Sequence, residues 1–308
     1  MKITLIGGTG HIGRFLTPML LQAGHEVVVV TSGRTPLPDL AGWESATVIQ
    51  ATYGRAGDDA WREIIAGLGS EVVIDIIGND LRALYETTRE QCRHLVACGS
   101  VYMFGAPRTV PCPDETQGPC PFESYADRYA VIQELKQEAA GAGIAFTAIM
   151  PPNICGPGKI PLEPMGGRDA EVHGAMSRGE EMPLPAPGST LLGPCDAEDI
   201  ARAFVLAVDD RAAARDEIFN VGSAYALTAK QFVEVYGKIY GKAIPIRWVD
   251  WNEYVSNVSA GLGAYCHFEF NMCPDIGKLR SKLGYEPAYT PEQTMARAVD
   301  WMRTEGLV

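Results

Sequence analysis

The sequence predicts an α/β fold, a doubly wound parallel sheet joined to a smaller C-terminal domain. Three observations carry this expectation. Short runs rich in β-branched residues alternate with helix-period segments through the first half of the chain. A glycine cluster follows the first of these runs without a spacer. Beyond residue 155 the alternation yields to a segment rich in proline and glycine. Alternation of this kind calls for parallel strands with right-handed crossovers. In such sheets the ligand sits beyond the carboxyl ends of the strands.

The chain has 308 residues, 46% of them hydrophobic, enough for one large or two medium domains with a full core. Its net charge of −12 argues against a general nucleic-acid binder, which needs a basic footprint. The apolar stretches around Val27–Val30 and Val72–Ile77 are strand-sized, so no membrane span is expected. The eight cysteines show neither CxxC nor Cys/His metal spacing. Together with an N-terminus that runs straight into a strand, this gives the expectation of free thiols, no metal and a cytoplasmic protein.

Lys2–Ile6 reads as a buried strand, and Gly7-Gly8-Thr9-Gly10-His11-Ile12-Gly13 follows it. Gly8-x-Gly10-x-x-Gly13 fits the dinucleotide fingerprint in its strand–turn–helix setting. The first glycines allow a tight turn, Gly10 lets the backbone approach a pyrophosphate, and Gly13 lets the helix pack closely on the strand. The helix start then offers free N–H groups and partial positive charge. The helix is expected over Arg14–Ala23, with Gly24 ending it, and the second strand over Glu26–Thr31. An acidic residue at the end of that strand would favour NAD; Thr31-Ser32-Gly33-Arg34 stands there instead. A hydroxyl and a guanidinium suit a 2′-phosphate, so the sequence favours NADP over NAD through Ser32 and Arg34.

Thr47–Gln50 is expected as a third strand, Asp58–Leu68 as a helix and Glu71–Ile77 as a fourth strand. Leu81–Val96 reads as one long helix, with a fifth strand starting at Leu95–Ala97. A proline-rich loop follows Gly105, then a helix over Tyr125–Ala140, a strand over Ile144–Met150 and a rigid exit loop from Pro151 to Gly158. Later helices are expected at Ala170–Ser177, from an Asp196 cap to about Val208, and behind Thr228 and Thr290 caps, with a strand at Glu217–Val221. The resulting division is a dinucleotide-binding Rossmann domain over 1–155, joined by about 194–222, and a substrate-binding part from 156–193 and 223–308.

Several segments in this order resemble extended short-chain dehydrogenase/reductases of the NAD-dependent epimerase/dehydratase kind. They are Gly7-x-x-Gly10-x-x-Gly13, Ser100 to Gly105, Pro152 to Gly158, Phe219-Asn220-Val221-Gly222, and Asp275–Pro287 with Ala298–Met302. The resemblance implies hydride transfer at a hydroxyl-bearing carbon. It implies Ser100 to hold the oxygen and Tyr125 to transfer the proton. It also implies a dinucleotide held by Gly7, Thr9, Gly10, His11, Ile12, Gly13, Ser32, Arg34, Tyr129 and Pro151, and a substrate met by Tyr102 and Asn153.

The departures from the family pattern are as informative. The family's lysine four residues after the tyrosine lowers the phenol pKa from near 10. Here Tyr129 stands in its place, with Arg128 one residue earlier. Dehydrating relatives carry carboxylates just after the serine; here those positions are Val101 and Tyr102. The arginines that hold nucleotide diphosphates are not found near Leu192 or in Tyr265–Met272. This favours a smaller or less charged substrate. Trp248–Cys273 is expected either to close over the site or to form a hydrophobic lid core.

Two readings therefore stand at the level of sequence. The first is an NAD(P)-dependent oxidoreductase or epimerase acting on a hydroxyl/keto carbon of a small sugar, polyol or similar metabolite. The second is a catalytically inactive dinucleotide-binding sensor or structural relative. Neither calls for nucleic acid or membrane, and the resemblance implies a homodimer.

Overall fold

The computed structural model describes residues 1–55, 57–259 and 265–308. Its first six strands are β1 (Lys2–Ile6), β2 (Glu26–Thr31), β3 (Thr47–Gln50), β4 (Val72–Asp75), β5 (His94–Cys98) and β6 (Ala145–Met150). With Glu217–Asn220 they form a seven-stranded sheet in the order Glu217–Asn220, β6, β5, β4, β1, β2, β3. Every pairing is parallel. The direction of winding reverses between β1 and β4, so a crevice opens beyond Ile6 and Asp75, which are in register.

Helices α1 (Gly13–Gln22), α2 (Ala60–Leu68), α3 (Leu81–Thr88) and α4 (Glu123–Gly141) follow the early strands, with α5 (Ala170–Arg178) and α6 (Ala197–Asp209) later. One sheet face buries Trp61, Leu84, Tyr85, Phe104, Leu135 and Phe146. The other buries Leu16 and Leu20 of α1 with Ile200 and Phe204 of α6, Phe219 and Leu279. A third core, away from the sheet, gathers Met176, Leu184, Phe232, Tyr236, Tyr254 and Phe268. It is built from the residues after Met150, where period-2 strands are short and aromatic side chains do most of the burying.

The helix starts follow their side chains. Asp196 accepts from the Glu198 amide, and Thr228 and Thr290 form reciprocal capping boxes with Gln231 and Gln293. One expectation is corrected. The helix that begins at Leu81 stops at Thr88 rather than running to Val96. Its last turn contains Thr87 and Thr88, whose hydroxyls bond the carbonyls of Ala83 and Leu84. The following residues, His94–Cys98, are wholly buried between β4 and β6 and gain a ladder on both sides. Tertiary pairing thus overrides a helical period that spans both segments.

The glycine turn fixes how α1 meets β1. Gly7 has φ +86°, and a Cβ on Gly13 would overlap the carbonyl oxygens of Gly7 and Gly8. Gly13→Ala must therefore push α1 off the strand. We expect a loss of about 3 kcal/mol of stability, typical of overpacking, together with loss of dinucleotide binding. Thermal unfolding and a cofactor titration of the same variant check this.

Candidate active site

The turn after β1 is held open at its donor side. Gly7 N–H donates to the Val30 carbonyl, and Gly10 N–H donates to Gly7. Among the described residues the amides of Thr9, His11 and Ile12 have no protein acceptor. They stand at the N-terminus of the ten-residue α1, where the helix field favours an anion. A Cβ at Gly10 would close to 3.2 Å on the Gly7 carbonyl, so the floor of this cradle stays bare backbone. The cradle fits a dinucleotide pyrophosphate.

Side chains tie the cradle to its surroundings. Thr9 Oγ1 is 3.2 Å from Thr31 Oγ1 at the end of β2, and Thr31 Oγ1 accepts from the Gly33 amide. His11 Nε2 is 3.2 Å from the Gly156 carbonyl. Burial, with the nearby Arg168 charge, lowers its pKa from 6.5 to about 3, so the ring is neutral and Nε2–H is the donor. Arg14 folds over Gly158. Beside the end of β2, Ser32 and Arg34 share a pocket with Arg55 and Tyr53.

The floor of the crevice between β1 and β4 is organised by Asp75. Its carboxylate accepts from the amides of Ile77 and Gly78 at 2.9 and 2.8 Å and from Tyr53 Oη at 2.6 Å. Burial raises its pKa while those donors oppose the rise. The result is a fixed Ile77–Gly78 turn with the Ile77 carbonyl facing α4.

Ser100 ends β5 and caps a short 3₁₀ turn, Val101–Phe104, with its hydroxyl 3.4 Å from the Tyr102 amide. Tyr125 lies in the first turn of α4, half-buried against Phe122. Its hydroxyl has no protein partner among the described residues. Arg128 turns inward: Nη2 donates to the Ile77 carbonyl at 3.3 Å, and its guanidinium carbon is 5.9 Å from the Tyr125 ring centroid. Tyr129 packs edge-on against Phe104 and takes a 3.4 Å hydrogen bond from Thr116, on the side of the proline-rich loop. The Pro151 carbonyl accepts from the Val101 amide.

A second polar group lies next to Ser100. Tyr102 Oη is 2.6 Å from Nδ1 of His267, and Asn153 Nδ2 is 2.8 Å from the same nitrogen. Asn153 belongs to a short strand, Asn153–Cys155, paired with Pro194–Asp196. His267 lies on the Cys266–Glu269 turn. Arg168 donates to the Ile154 and Ile160 carbonyls at 2.8 Å each, and its charge reaches Tyr102, His267 and His11.

The residues from 3 to 222 match the family model described as the NAD dependent epimerase/dehydratase family. The chain belongs to that family. Over its whole length it is 24% identical to a UDP-glucose 4-epimerase of Corynebacterium glutamicum, covering 97% of that protein. It is 23% identical, over 78% of its own length and 63% of the relative's, to a chloroplast stem-loop binding protein of 41 kDa of Arabidopsis thaliana. A UDP-glucose 4-epimerase from Thermotoga maritima, solved with UDP-glucose, superposes with a TM-score of 0.76 at 20% identity, with 99% of each chain covered. That superposition establishes the shared fold. The chain is thus an enzyme of the epimerase/dehydratase type, from a family that uses NAD.

Among the described residues no group of His, Cys, Asp and Glu has metal-ligand geometry, and no helix is long and apolar enough to cross a membrane. The Trp248–Cys273 stretch divides its duties: Tyr254 and Phe268 enter the third core and His267 enters the site. Its residues 260–264 lie outside the described residues. Sequence reasoning missed Asp75, Arg168 and His267 as site residues. Asp75 meets Tyr53, Arg168 reaches back to the Ile154 and Ile160 carbonyls, and His267 meets Tyr102 and Asn153; no sequence motif marks any of the three. The aromatic and thiol-rich surroundings of His267 were the one available signal.

Glu163 shapes the loop that carries Arg168. Its carboxylate accepts from the Met165 and Gly167 amides at 2.5 and 2.7 Å, and burial raises its pKa from 4.5 to about 7. The folded chain therefore holds this proton more tightly than the unfolded chain does. The group's contribution to stability is full below about pH 4.5 and is lost as pH rises through about 7. Thermal unfolding from pH 4 to 8 should show that part of the fall in wild type and not in Glu163→Gln.

Proposed function

We propose that the chain is an NAD(P)-dependent oxidoreductase or epimerase acting at a hydroxyl/keto carbon of a small sugar, polyol or similar metabolite. The observation that carries the reading is the placement of Arg128. It sets a guanidinium beside the Tyr125 phenol in a chain whose family lysine is replaced by Tyr129. A bound nicotinamide dinucleotide supplies the hydride acceptor. The amides of Thr9, His11 and Ile12 would face its pyrophosphate. Tyr125 takes the proton of the substrate hydroxyl, Ser100 holds the same oxygen, and Arg128 stands in for the family lysine as the neighbouring cation. Relatives named as UDP-glucose 4-epimerases support a sugar as substrate. Pairing of two copies through the surfaces of α3 and α4 completes the proposal; Arg82 already ties these helices together through Glu134 and Glu138.

The second reading, a dinucleotide-binding sensor without turnover, draws on the packing of Tyr129 away toward Phe104 and Thr116. Tyr125→Phe separates the two. With UDP-glucose as probe and epimerisation followed by proton NMR, or a small polyol as probe and NAD(P) reduction followed by absorbance, turnover should fall about 100-fold or more while cofactor affinity holds. Unchanged turnover would sink the role of Tyr125.

For the cofactor we propose NADP over NAD, with Arg34 and Ser32 meeting the 2′-phosphate and Arg55 on the same pocket wall. Calorimetric titration of Arg34→Ala should show NADP weakened about tenfold or more, the worth of one charge-assisted bond, with NAD little changed. Equal losses for both dinucleotides would refute the assignment.

A further inference from the structure

Arg168 brings to the crevice a cation with no counter-ion among the described residues. Both terminal nitrogens of its guanidinium are fixed, Nη1 on the Ile160 carbonyl and Nη2 on the Ile154 carbonyl, at 2.8 Å each. These partners are neutral dipoles. The acids of the same region are committed elsewhere. Glu163 accepts from the Met165 and Gly167 amides, Asp169 caps α5 through the Glu171 amide, and Asp196 lies beside Arg297. Tyr102, Tyr236 and Cys155 feel the Arg168 charge, but burial raises the pKa of each, so all three are neutral. Burial lowers the pKa of Arg168 itself, yet a guanidinium keeps its proton at neutral pH.

A charge withdrawn from water is costly unless it is paired. Here the loop positions the cation without neutralising it. Glu163, 1% exposed, uses its carboxylate to shape the Met165–Gly167 turn directly before Arg168. Two of the five guanidinium donors are taken by carbonyls, and the remaining three can offer a fork to an oxyanion. A second unmatched group adjoins it. Ile154 follows Asn153, which is 4% exposed and whose Oδ1 is buried without a hydrogen-bond partner among the described residues. Asn153 Nδ2 meets His267, and the Arg168 charge is felt at His267 and at Tyr102 on the Ser100 turn. The bare acceptor calls for a hydroxyl, and the bare cation calls for an anion.

We propose that Arg168 selects a substrate that carries a carboxylate, so that the metabolite taken into this crevice is a polyhydroxy acid of the uronate or aldonate class, with Asn153 Oδ1 accepting from one of its hydroxyls. The inference rests on the reading of the crevice as a hydroxyl/keto site. A carboxylate suits the arrangement better than a diphosphate does. One anchored guanidinium matches a single negative charge in a two-pronged bond. The other cations of the region, Arg14 and Lys159, line the pocket of the glycine turn with Thr9 and His11. They stand on the side of the cofactor pyrophosphate. A singly charged substrate also has no need of the diphosphate arginines that the chain lacks near Leu192 and in Tyr265–Met272.

The test is calorimetric titration of the full-length protein, loaded with NAD(P), with glucuronate, galacturonate, gluconate and galactonate. Neutral glucose and galactose and the dianion glucose 6-phosphate serve as comparators. At least one acid should bind about tenfold or more tighter than the neutral sugars, the worth of one charge-assisted bond. Arg168→Gln should abolish that preference and keep the wild-type affinity for NAD(P). Where Arg168→Gln fails to fold, Arg168→Lys decides, because it keeps the charge and loses the fork: it should weaken the acid and leave glucose unchanged. No preference for any acid in wild type overturns the proposal. So does a preference that survives both variants, or tighter binding of glucose 6-phosphate than of every acid. A loss of NAD(P) affinity in Arg168→Gln as large as the loss for the acid overturns it too, by assigning the charge to the pyrophosphate. An acid that binds through Arg168 with neither NAD(P) reduction nor epimerisation overturns the hydride reading instead and leaves this one standing.

Discussion

No side chain fits at position 13. The carbonyl oxygens of Gly7 and Gly8 occupy the place a Cβ would take, and that single exclusion sets the distance between β1 and α1. The rest of the site is referenced to this contact. Thr9 reaches the end of β2 through Thr31. His11 and Arg14 reach the loop after β6 at Gly156 and Gly158. The glycine turn therefore holds together the end of β2 and the loop that carries the Asn153 strand. A displacement of α1 would be felt at both, because packed elements shift as units.

How much of this was legible in the sequence depends on the range of the contact involved. The strands over Lys2–Ile6, Glu26–Thr31 and Thr47–Gln50 coincide with the expected ones, and the Asp196, Thr228 and Thr290 caps form. These are local effects, settled by period and by one side chain bonding a nearby amide. The run from Leu81 to Val96 failed because two periods overlap in it. Only burial between β4 and β6 makes His94–Cys98 a strand. Asp75 read as a residue inside the expected Glu71–Ile77 strand, yet it ends the strand and its buried carboxylate fixes the Ile77–Gly78 turn. His267 and Tyr102 are 165 positions apart, and nothing in the spacing of either announces the other.

The charge distribution shows why composition was a poor guide to the site. The chain carries −12 overall, but Arg14, Arg128, Lys159 and Arg168 gather around the crevice and its glycine turn. Desolvation, with the Arg168 charge at both and Lys159 and Arg14 at His11, keeps His11 and His267 neutral, with pKa values of about 3 and about 4. A net acidic surface and a locally cationic, partly dry interior coexist because solvent screens the first far more than the second.

The same separation explains what replacing the family lysine does physically. A lysine is a mobile point charge on a flexible stem, while arginine presents a planar fork that a carbonyl can hold in place. Arg128 is held by the Ile77 carbonyl, whose turn is held in turn by Asp75. Its charge thus approaches Tyr125 from the β4 side of the crevice. Tyr129 is then released to pack on Phe104 and to brace Thr116. A lysine at 129 would have to give up that aromatic contact to reach the crevice. On the proposed role of Arg128, the substitution trades a charge delivered along α4 for one anchored to the sheet, and the vacated position holds the proline-rich loop.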